Sequence, residues 1–293
     1  MSSPFVDSLR SGRVLLMDGA MGTELHKAGL LLGERGELWN RTHPDHVLSV
    51  HSAYVSAGAD IILTNTFLAN PEQLALHNSL GSLGDLNRFA IELAQHAAGP
   101  HCHVLGDVGP FSGLGEGIFE MCSPFLSVGG LMMETWSDVK SAERFLNSLR
   151  AHRPLDDIPV LLSIAYNRDL LHDPEKARIS PERWADWANA HLQVVAIGVN
   201  CGCEIGVAEC AEIVHRYRSA TDLPIFARPN AGTPVHDRER WVYPRSPAQM
   251  ATKLPRLLEA GVSMIGGCCG TTPEHIAAFR SVIDKWNDRA STN

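Results

Sequence analysis

Gly266-Gly267-Cys268-Cys269-Gly270-Thr271-Thr272-Pro273-Glu274-His275 lies near the C-terminus of the 293-residue chain, between two stretches of regular periodicity. Before it, the apolar run Val262-Ser263-Met264-Ile265 reads as a buried strand. After it, Ile276, Phe279, Val282, Ile283 and Trp286 recur at helical spacing, so Glu274 to Trp286 is expected to be a helix entered through Thr-Pro. Two adjacent cysteines thus occupy a glycine-wrapped turn between a strand and a helix. Neighbouring strand residues point to opposite faces, so both thiols can serve one ligand only where glycine lets the backbone turn them together. A third cysteine in similar surroundings stands in Val199-Asn200-Cys201-Gly202. Thiolates from Cys201, Cys268 and Cys269 would hold Zn²⁺ with its fourth tetrahedral position open, the layout of a catalytic zinc. Two other readings of these thiols stay open: inert buried cysteines, or a strained vicinal disulfide that responds to redox state.

Outward from this turn, strand-like runs alternate with helical patterns along the whole chain. Strands are expected near Val14–Asp18, Asp60–Thr64, Val104–Asp107, Leu131–Glu134, Pro159–Ile164, Val194–Val199, Pro224–Ala227 and Val262–Ile265. Amphipathic helices are expected at His46–Ala57 before Gly58 and at Ala248–Ala260 before Gly261. Eight β-then-α units without a linker or repeat boundary predict an α/β fold, a (β/α)₈ TIM barrel, as a single domain over residues 1–293 with its core at about 13–287. A doubly wound open sheet is the other arrangement this pattern allows. The third unit departs from the rest. Its stretch Gly109 to Gly130 is rich in glycine and broken by Pro124, which predicts a shortened or distorted helix.

Composition narrows the class of function. The hydrophobic fraction of 44% supports a sizeable core, and a formal charge of −8 without a basic cluster argues against nucleic acid as a partner. No apolar run approaches the roughly 20 residues that cross a bilayer, and the N-terminus carries no signal-peptide pattern. An odd number of cysteines, seven, reads as reduced thiols in the cytoplasm.

Four motifs occur in one order: Asp18 to Leu25 (DGAMGTEL), Thr64 to Phe67 (TNTF), Gly198 to Cys201 (GVNC) and Gly266 to Ile276 (GGCCGTTPEHI). Together they make the chain resemble the homocysteine S-methyltransferase family from Leu15 to Phe279. The family includes betaine- and S-methylmethionine-dependent enzymes and the homocysteine module of cobalamin-dependent methionine synthase. The resemblance favours the barrel and implies that Cys201, Cys268 and Cys269 bind Zn²⁺. It also implies that Asp18 and Glu134 contact the ammonium group of homocysteine, and that Asn230, in the RPNAG run Arg228 to Gly232, walls the site.

The residues carry readings of their own. Asp18 ends the first strand at the face where barrel active sites open, although an aspartate there can also cap the next helix. Glu134 closes an apolar run, where a charge must be paired or face a ligand. Asn65 is expected to order polar contacts near the metal or to bond its own turn, and Asn200 to fix the turn at Cys201. Cys203 is read as a loop thiol, since a closed four-cysteine site leaves substrate no place. Cys102, Cys122 and Cys210 are read as packing or surface thiols. His275 is expected on a helix surface or behind the ligands, and the loop Tyr166 to Ser180, with Arg168, His172 and Asp173, as a lid or a solvated loop.

The chemistry that follows is methyl transfer to homocysteine, giving methionine. Zinc deprotonates a bound thiol, and three further thiolates keep that sulfur electron-rich, which suits attack on methyl. Expected partners are homocysteine and a small sulfonium or ammonium donor: S-methylmethionine, S-adenosylmethionine or a betaine. One alternative is the homocysteine-activating subunit of a split cobalamin-dependent methionine synthase, working with a corrinoid protein. Another is a non-catalytic zinc or redox thiol protein. The betaine-type C-terminal arm has no counterpart here, so a monomer or dimer is expected.

Overall fold

The computed structural model describes residues 3–74, 82–111, 117–168, 180–202, 204–237 and 240–290. Strands β1 (Leu15–Leu16), β2 (Ile61–Leu63), β3 (His103–Val108), β4 (Leu131–Trp136), β5 (Val160–Ile164), β6 (Val194–Asn200), β7 (Ile225–Arg228) and β10 (Met264–Ile265) form one parallel sheet. Its order is β1-β10-β7-β6-β5-β4-β3-β2, and a parallel bridge between Met17 and Ile61 brings its two ends together. Helices alternate with the strands, so the sheet is the expected (β/α)₈ barrel rather than an open doubly wound sheet.

Strand side chains alternate between two apolar layers. Leu15, Met17, Ile61, Leu63, Leu105, Met132, Leu161, Ala196, Phe226 and Met264 fill the lumen. Leu16, Ile62, Val104, Leu131, Met133, Leu162, Ile197 and Ile265 pack outward under the helices. The lumen is floored by the helix Pro4–Leu9, capped by the Ser3 hydroxyl, whose Phe5, Val6 and Leu9 join the interior cluster. Burying three such side chains contributes several kcal/mol at about 1.5–3 kcal/mol each. The C-terminal helix Pro273–Ala290 ties back to the first strand through Asn287, which donates to the Val14 carbonyl and accepts from its N–H.

Three details differ from the sequence expectations or sharpen them. The third unit is irregular as expected: a five-residue helix, Ile118–Cys122, runs into the 3₁₀ turn Ser123–Ser127 that contains Pro124. The single helix expected over Ala248–Ala260 is two short ones, Pro247–Ala251 and Pro255–Glu259. Pro255 removes a donor and crowds the preceding turn, so the helix restarts there. An antiparallel hairpin, β8 (Val235–Asp237) and β9 (Arg240–Val242), stands between β7 and β10 outside the barrel sheet. Its sequence lacks the Asn-Gly or Asp-Gly signal that would announce it. Among the described residues no helix is long and apolar enough to cross a membrane. His172, Asp173 and most of the loop expected to form a lid lie outside the described residues.

One buried side chain gives the fold a pH dependence. His51, in the helix Pro44–Ser56, is fully buried, and neither ring nitrogen has a hydrogen-bond partner among the described residues. Burial disfavours the charged imidazolium and lowers its pKa from 6.5 to about 4. The unfolded chain therefore takes up this proton before the folded one does. Stability is complete above pH 6.5, falls as pH drops toward about 4, and is then lower by a constant amount. The difference is about 3 kcal/mol, at roughly 1.4 kcal/mol per pH unit. His51→Leu is expected to flatten this part of the stability profile, measured by urea unfolding at a series of pH values; an unchanged slope between pH 6.5 and 4 would refute the assignment.

Candidate active site

Two residues beyond the lumen's apolar layer, the same strands turn polar. Leu105 is followed by Asp107, Met132 by Glu134, Leu161 by Ser163 and Phe226 by Arg228, each on the same face of its strand. This layer lies at the C-terminal ends of the strands, where barrel enzymes place their chemistry. Arg228 spans it, donating to Asp18 at 3.0 Å through one terminal nitrogen and to Glu134 through the other. Side-chain exposure is only 4% for Arg228 and Asp18 and 12% for Glu134. Asp18 is fixed further by the Leu63 N–H, at 2.8 Å, so its bond is to the neighbouring strand rather than to a helix N-terminus.

The charges in this layer do not balance. Asp18, Glu134 and Asp107 face one guanidinium, and the buried Asp107 Oδ1 has no hydrogen-bond partner among the described residues. Burial pushes Asp18 up to about 7, against the pull of Arg228, and Glu134 to about 7 for the same reason. Asp107 is raised well above its ordinary range by burial and by the charge of Glu134. Among the described residues this layer is short of positive charge, which is the electrostatic demand an ammonium group would meet.

Beside the acids lie the cysteines. The sulfurs of Cys201, Cys268 and Cys269 lie within 4.8 Å of one another, and among the described residues this is the only grouping suited to a metal. Cys201 and Cys269 are 3.7 Å apart. An ion held tetrahedrally at about 2.3 Å by thiolates sets its sulfurs about 3.8 Å apart, so the donor set and spacing fit. Backbone geometry produces the convergence. Cys201 itself has φ 51°, and Gly202 has φ 91° where a side chain would strike the Tyr166 carbonyl at 1.9 Å. Cys268 and Cys269 sit past the end of β10, where Cys268 donates from its N–H to Pro229 and the Cys269 carbonyl accepts from Ala231. The loop after β7 thereby sets the vicinal pair.

Polar side chains aim at the sulfurs. Asn200 is fully buried; its amide donates to the Thr135 hydroxyl at 2.8 Å and approaches the Cys268 sulfur at 3.7 Å. Its carbonyl accepts from Ser163 and the Thr135 N–H. The Asn230 amide lies 3.8 Å from the Cys201 sulfur and 3.3 Å from the Gly202 carbonyl. Without a cation, Cys201 is the thiol that ionises first, because Cys268 and Cys269 donate to it; those two are held up in turn by that bond and that charge.

Other candidates sit farther out. Asn65 donates to Gly36 and Asn40 and accepts from Asn40 at its carbonyl, so its bonds brace the Gly36–Asn40 segment and none reaches a cysteine. His275 is buried, not on a helix surface. Its Nε2 pairs with the Arg245 carbonyl at 2.9 Å and its Nδ1 with the Thr272 N–H at 3.2 Å, which ties the cysteine turn to the segment after the hairpin. Cys122 and Cys210 are buried and Cys102 half-buried, away from the cluster, and Cys203 lies outside the described residues. Arg228 and Asp107 were not evident as site residues from motif reading. Their signal is the change from apolar to charged at a two-residue step on the lumen face.

On this geometry the comparisons with known proteins converge. The Homocysteine S-methyltransferase family profile matches residues 15–283. The methionine synthase of Mycobacterium leprae is 31% identical over 94% of this chain and 25% of its own length, and that of Mycobacterium tuberculosis 32% over 93% and 25%. The chain therefore spans about a quarter of these curated relatives. The metallated form of the homocysteine methyltransferase MmuM from Escherichia coli superimposes with a TM-score of 0.76 at 25% identity, covering 95% of this chain and 99% of that one. With a profile match over nearly its whole length and the barrel and cysteines in place, this chain belongs to the homocysteine S-methyltransferase family of methyltransferases.

Proposed function

We propose that the protein transfers a methyl group from a small sulfonium or ammonium donor to the thiolate of homocysteine, giving methionine, with Zn²⁺ held by Cys201, Cys268 and Cys269. One observation carries this: three convergent sulfurs stand beside a buried layer in which, among the described residues, three carboxylates share the single guanidinium of Arg228. The fourth corner of such a site takes a substrate thiol, and the acids take the ammonium group of the same amino acid. Bound there, Zn²⁺ would keep the substrate sulfur ionised and electron-rich at neutral pH. Support for a metal comes also from the E. coli enzyme, which has been crystallised in a metallated form.

The protein's own side chains position the acceptor. Asp18 and Glu134, held apart by Arg228, offer charge-assisted acceptors to the ammonium, and Asp107 supplies the unused oxygen. Asn200 and Asn230 hold the cysteine sulfurs in orientation, and Asn65 braces the loop over the first two strand ends. Fixing the thiolate in this way turns an encounter between two solutes into an oriented displacement.

A second reading has its own support. The methionine synthases match at higher identity than the E. coli enzyme, so the methyl group can instead reach this chain from a corrinoid protein. Assaying methyl transfer to homocysteine with each small donor, with and without a corrinoid protein, separates the two. Transfer from a small donor alone supports the first reading and dependence on the corrinoid protein the second, whereas no transfer under any condition refutes both.

Two variants test the site. Cys269→Ala is expected to lose most bound zinc by elemental analysis while keeping its circular dichroism, and full retention would remove Cys269 from the ligand set. Glu134→Gln is expected to bind homocysteine roughly ten- to a hundredfold more weakly at unchanged zinc content, the worth of one charge-assisted hydrogen bond. Calorimetry with homocysteine is the measurement, and an unchanged affinity would remove Glu134 from the ammonium site.

A further inference from the structure

The cysteine cluster has two sides. Cys268 adjoins the acidic layer, its charge felt by Asp18, Glu134 and Arg228. Cys201 and Cys269 instead form part of the wall of a cavity of about 320 Å³, completed by Asn230, Glu204, Tyr243 and Arg245. Tyr243 and Arg245 come from the segment directly after the hairpin. If homocysteine occupies the buried side, a displacement at methyl needs its donor on the open side, and this cavity is the space there.

Two of its side chains are prepared for a ligand. Arg245 is held at its main chain from both directions, its N–H donating to Ala231 at 2.9 Å and its carbonyl meeting the His275 Nε2 at 2.9 Å. Its stem lies so close to Gly232, at φ 94°, that a side chain there would come within 3.0 Å of it. Yet the guanidinium has no hydrogen bond or ion pair among the described residues. Among the described residues it is the cavity's only cationic side chain, and the single carboxylate there, Glu204, faces Arg168 at 3.8 Å. An arginine on a rigid support without a partner is a receptor for a carboxylate. Tyr243 packs its ring against Gly270, where any side chain would collide with it at 2.0 Å, and this seats the ring next to Cys269. An aromatic face in that place attracts a sulfonium or quaternary ammonium group.

We propose that this cavity seats the methyl donor, and that the donor is a small zwitterion with its carboxylate on Arg245 and its onium group against Tyr243. The inference rests on the small-donor reading above and names the donor's chemical class. In the reaction the homocysteine sulfur, having lost its proton to solvent, forms the new C–S bond with its lone pair. The bond from methyl to the onium sulfur or nitrogen breaks, and its electron pair stays on that atom as a neutral thioether or amine. No oxidant or reductant takes part.

Direct binding keeps the test independent of turnover. The zinc-loaded protein is titrated calorimetrically with S-methylmethionine, with glycine betaine and with trimethylsulfonium, which carries no carboxylate, and separately with homocysteine. Wild type is expected to bind at least one of the carboxylate donors more tightly than trimethylsulfonium. Arg245→Gln is expected to weaken that binding about ten- to a hundredfold, with Arg245→Lys between, while homocysteine affinity, zinc content and trimethylsulfonium binding hold. A loss falling on homocysteine instead would assign Arg245 to the acceptor and overturn the proposal. So would failure of wild type to bind either carboxylate donor, or equal binding by wild type and Arg245→Gln. Because homocysteine affinity and zinc content are read separately, these failures leave the methyltransferase reading standing, whereas loss of homocysteine binding in wild type would sink that reading itself.

Discussion

Arg228 reaches across the barrel lumen to two carboxylates on different strands, and the upper half of the molecule is arranged around that contact. Removing three ionisable groups from water is costly, and a buried ion pair by itself rarely improves stability over an apolar replacement. The lumen below shows that the alternative was open to this fold, since a methionine, two leucines and a phenylalanine occupy the same strands two residues earlier. The charged layer is therefore retained at the expense of stability. Among the described residues three carboxyl groups share one guanidinium there, a shortage that an ammonium group on a bound substrate would meet. The raised affinities of Asp18, Glu134 and Asp107 for protons express that shortage in the absence of the cation.

A second constraint is backbone, not charge. Vicinal cysteines cannot converge from regular strand geometry, and the protein solves this by leaving the strand. Cys268 and Cys269 lie in the turn after β10, hydrogen-bonded to the loop after β7, while Cys201 adopts a left-handed conformation after β6. Non-glycine residues in that conformation are strained and concentrate at functional sites; Thr135, whose N–H and hydroxyl bond Asn200, is another at the end of β4. The three sulfurs are thus set by the turns after β6 and β10, with the loop after β7 bonded to the second of them.

Much of this was legible in the sequence. Short apolar runs located the eight barrel strands to within a few residues, and the doubled cysteine between a strand and a helix marked the turn that matters. The misses have physical reasons. The floor helix Pro4–Leu9 is too short to show periodicity, and Pro255 divides a helix whose apolar spacing reads as continuous. The hairpin is built without the usual turn residues. Arg228 and Asp107 were hidden for a different reason. A charged residue at a strand end is ordinarily a solvated one, and only the register of the barrel shows that these two point inward above Phe226 and Leu105.

The hairpin gives the cysteine turn a second wall. A plain β7-to-helix connection would leave Cys201 and Cys269 facing open solvent. Instead the chain leaves β7 through Asn230, makes an excursion through β8 and β9, and returns with Tyr243 and Arg245 beside the sulfurs. His275 locks that return to the start of the last helix, so one histidine couples the cavity wall to the cysteine turn. One side of the cluster is buried and lined by carboxylates, and the other opens on the cavity that holds Arg245. The side lined by carboxylates would take an ammonium group and the side with Arg245 a carboxylate, so the proposed acceptor and donor are each held by a different one of their charged ends. In the proposed reaction the methyl group passes from one side to the other at the sulfurs, where the two sides meet.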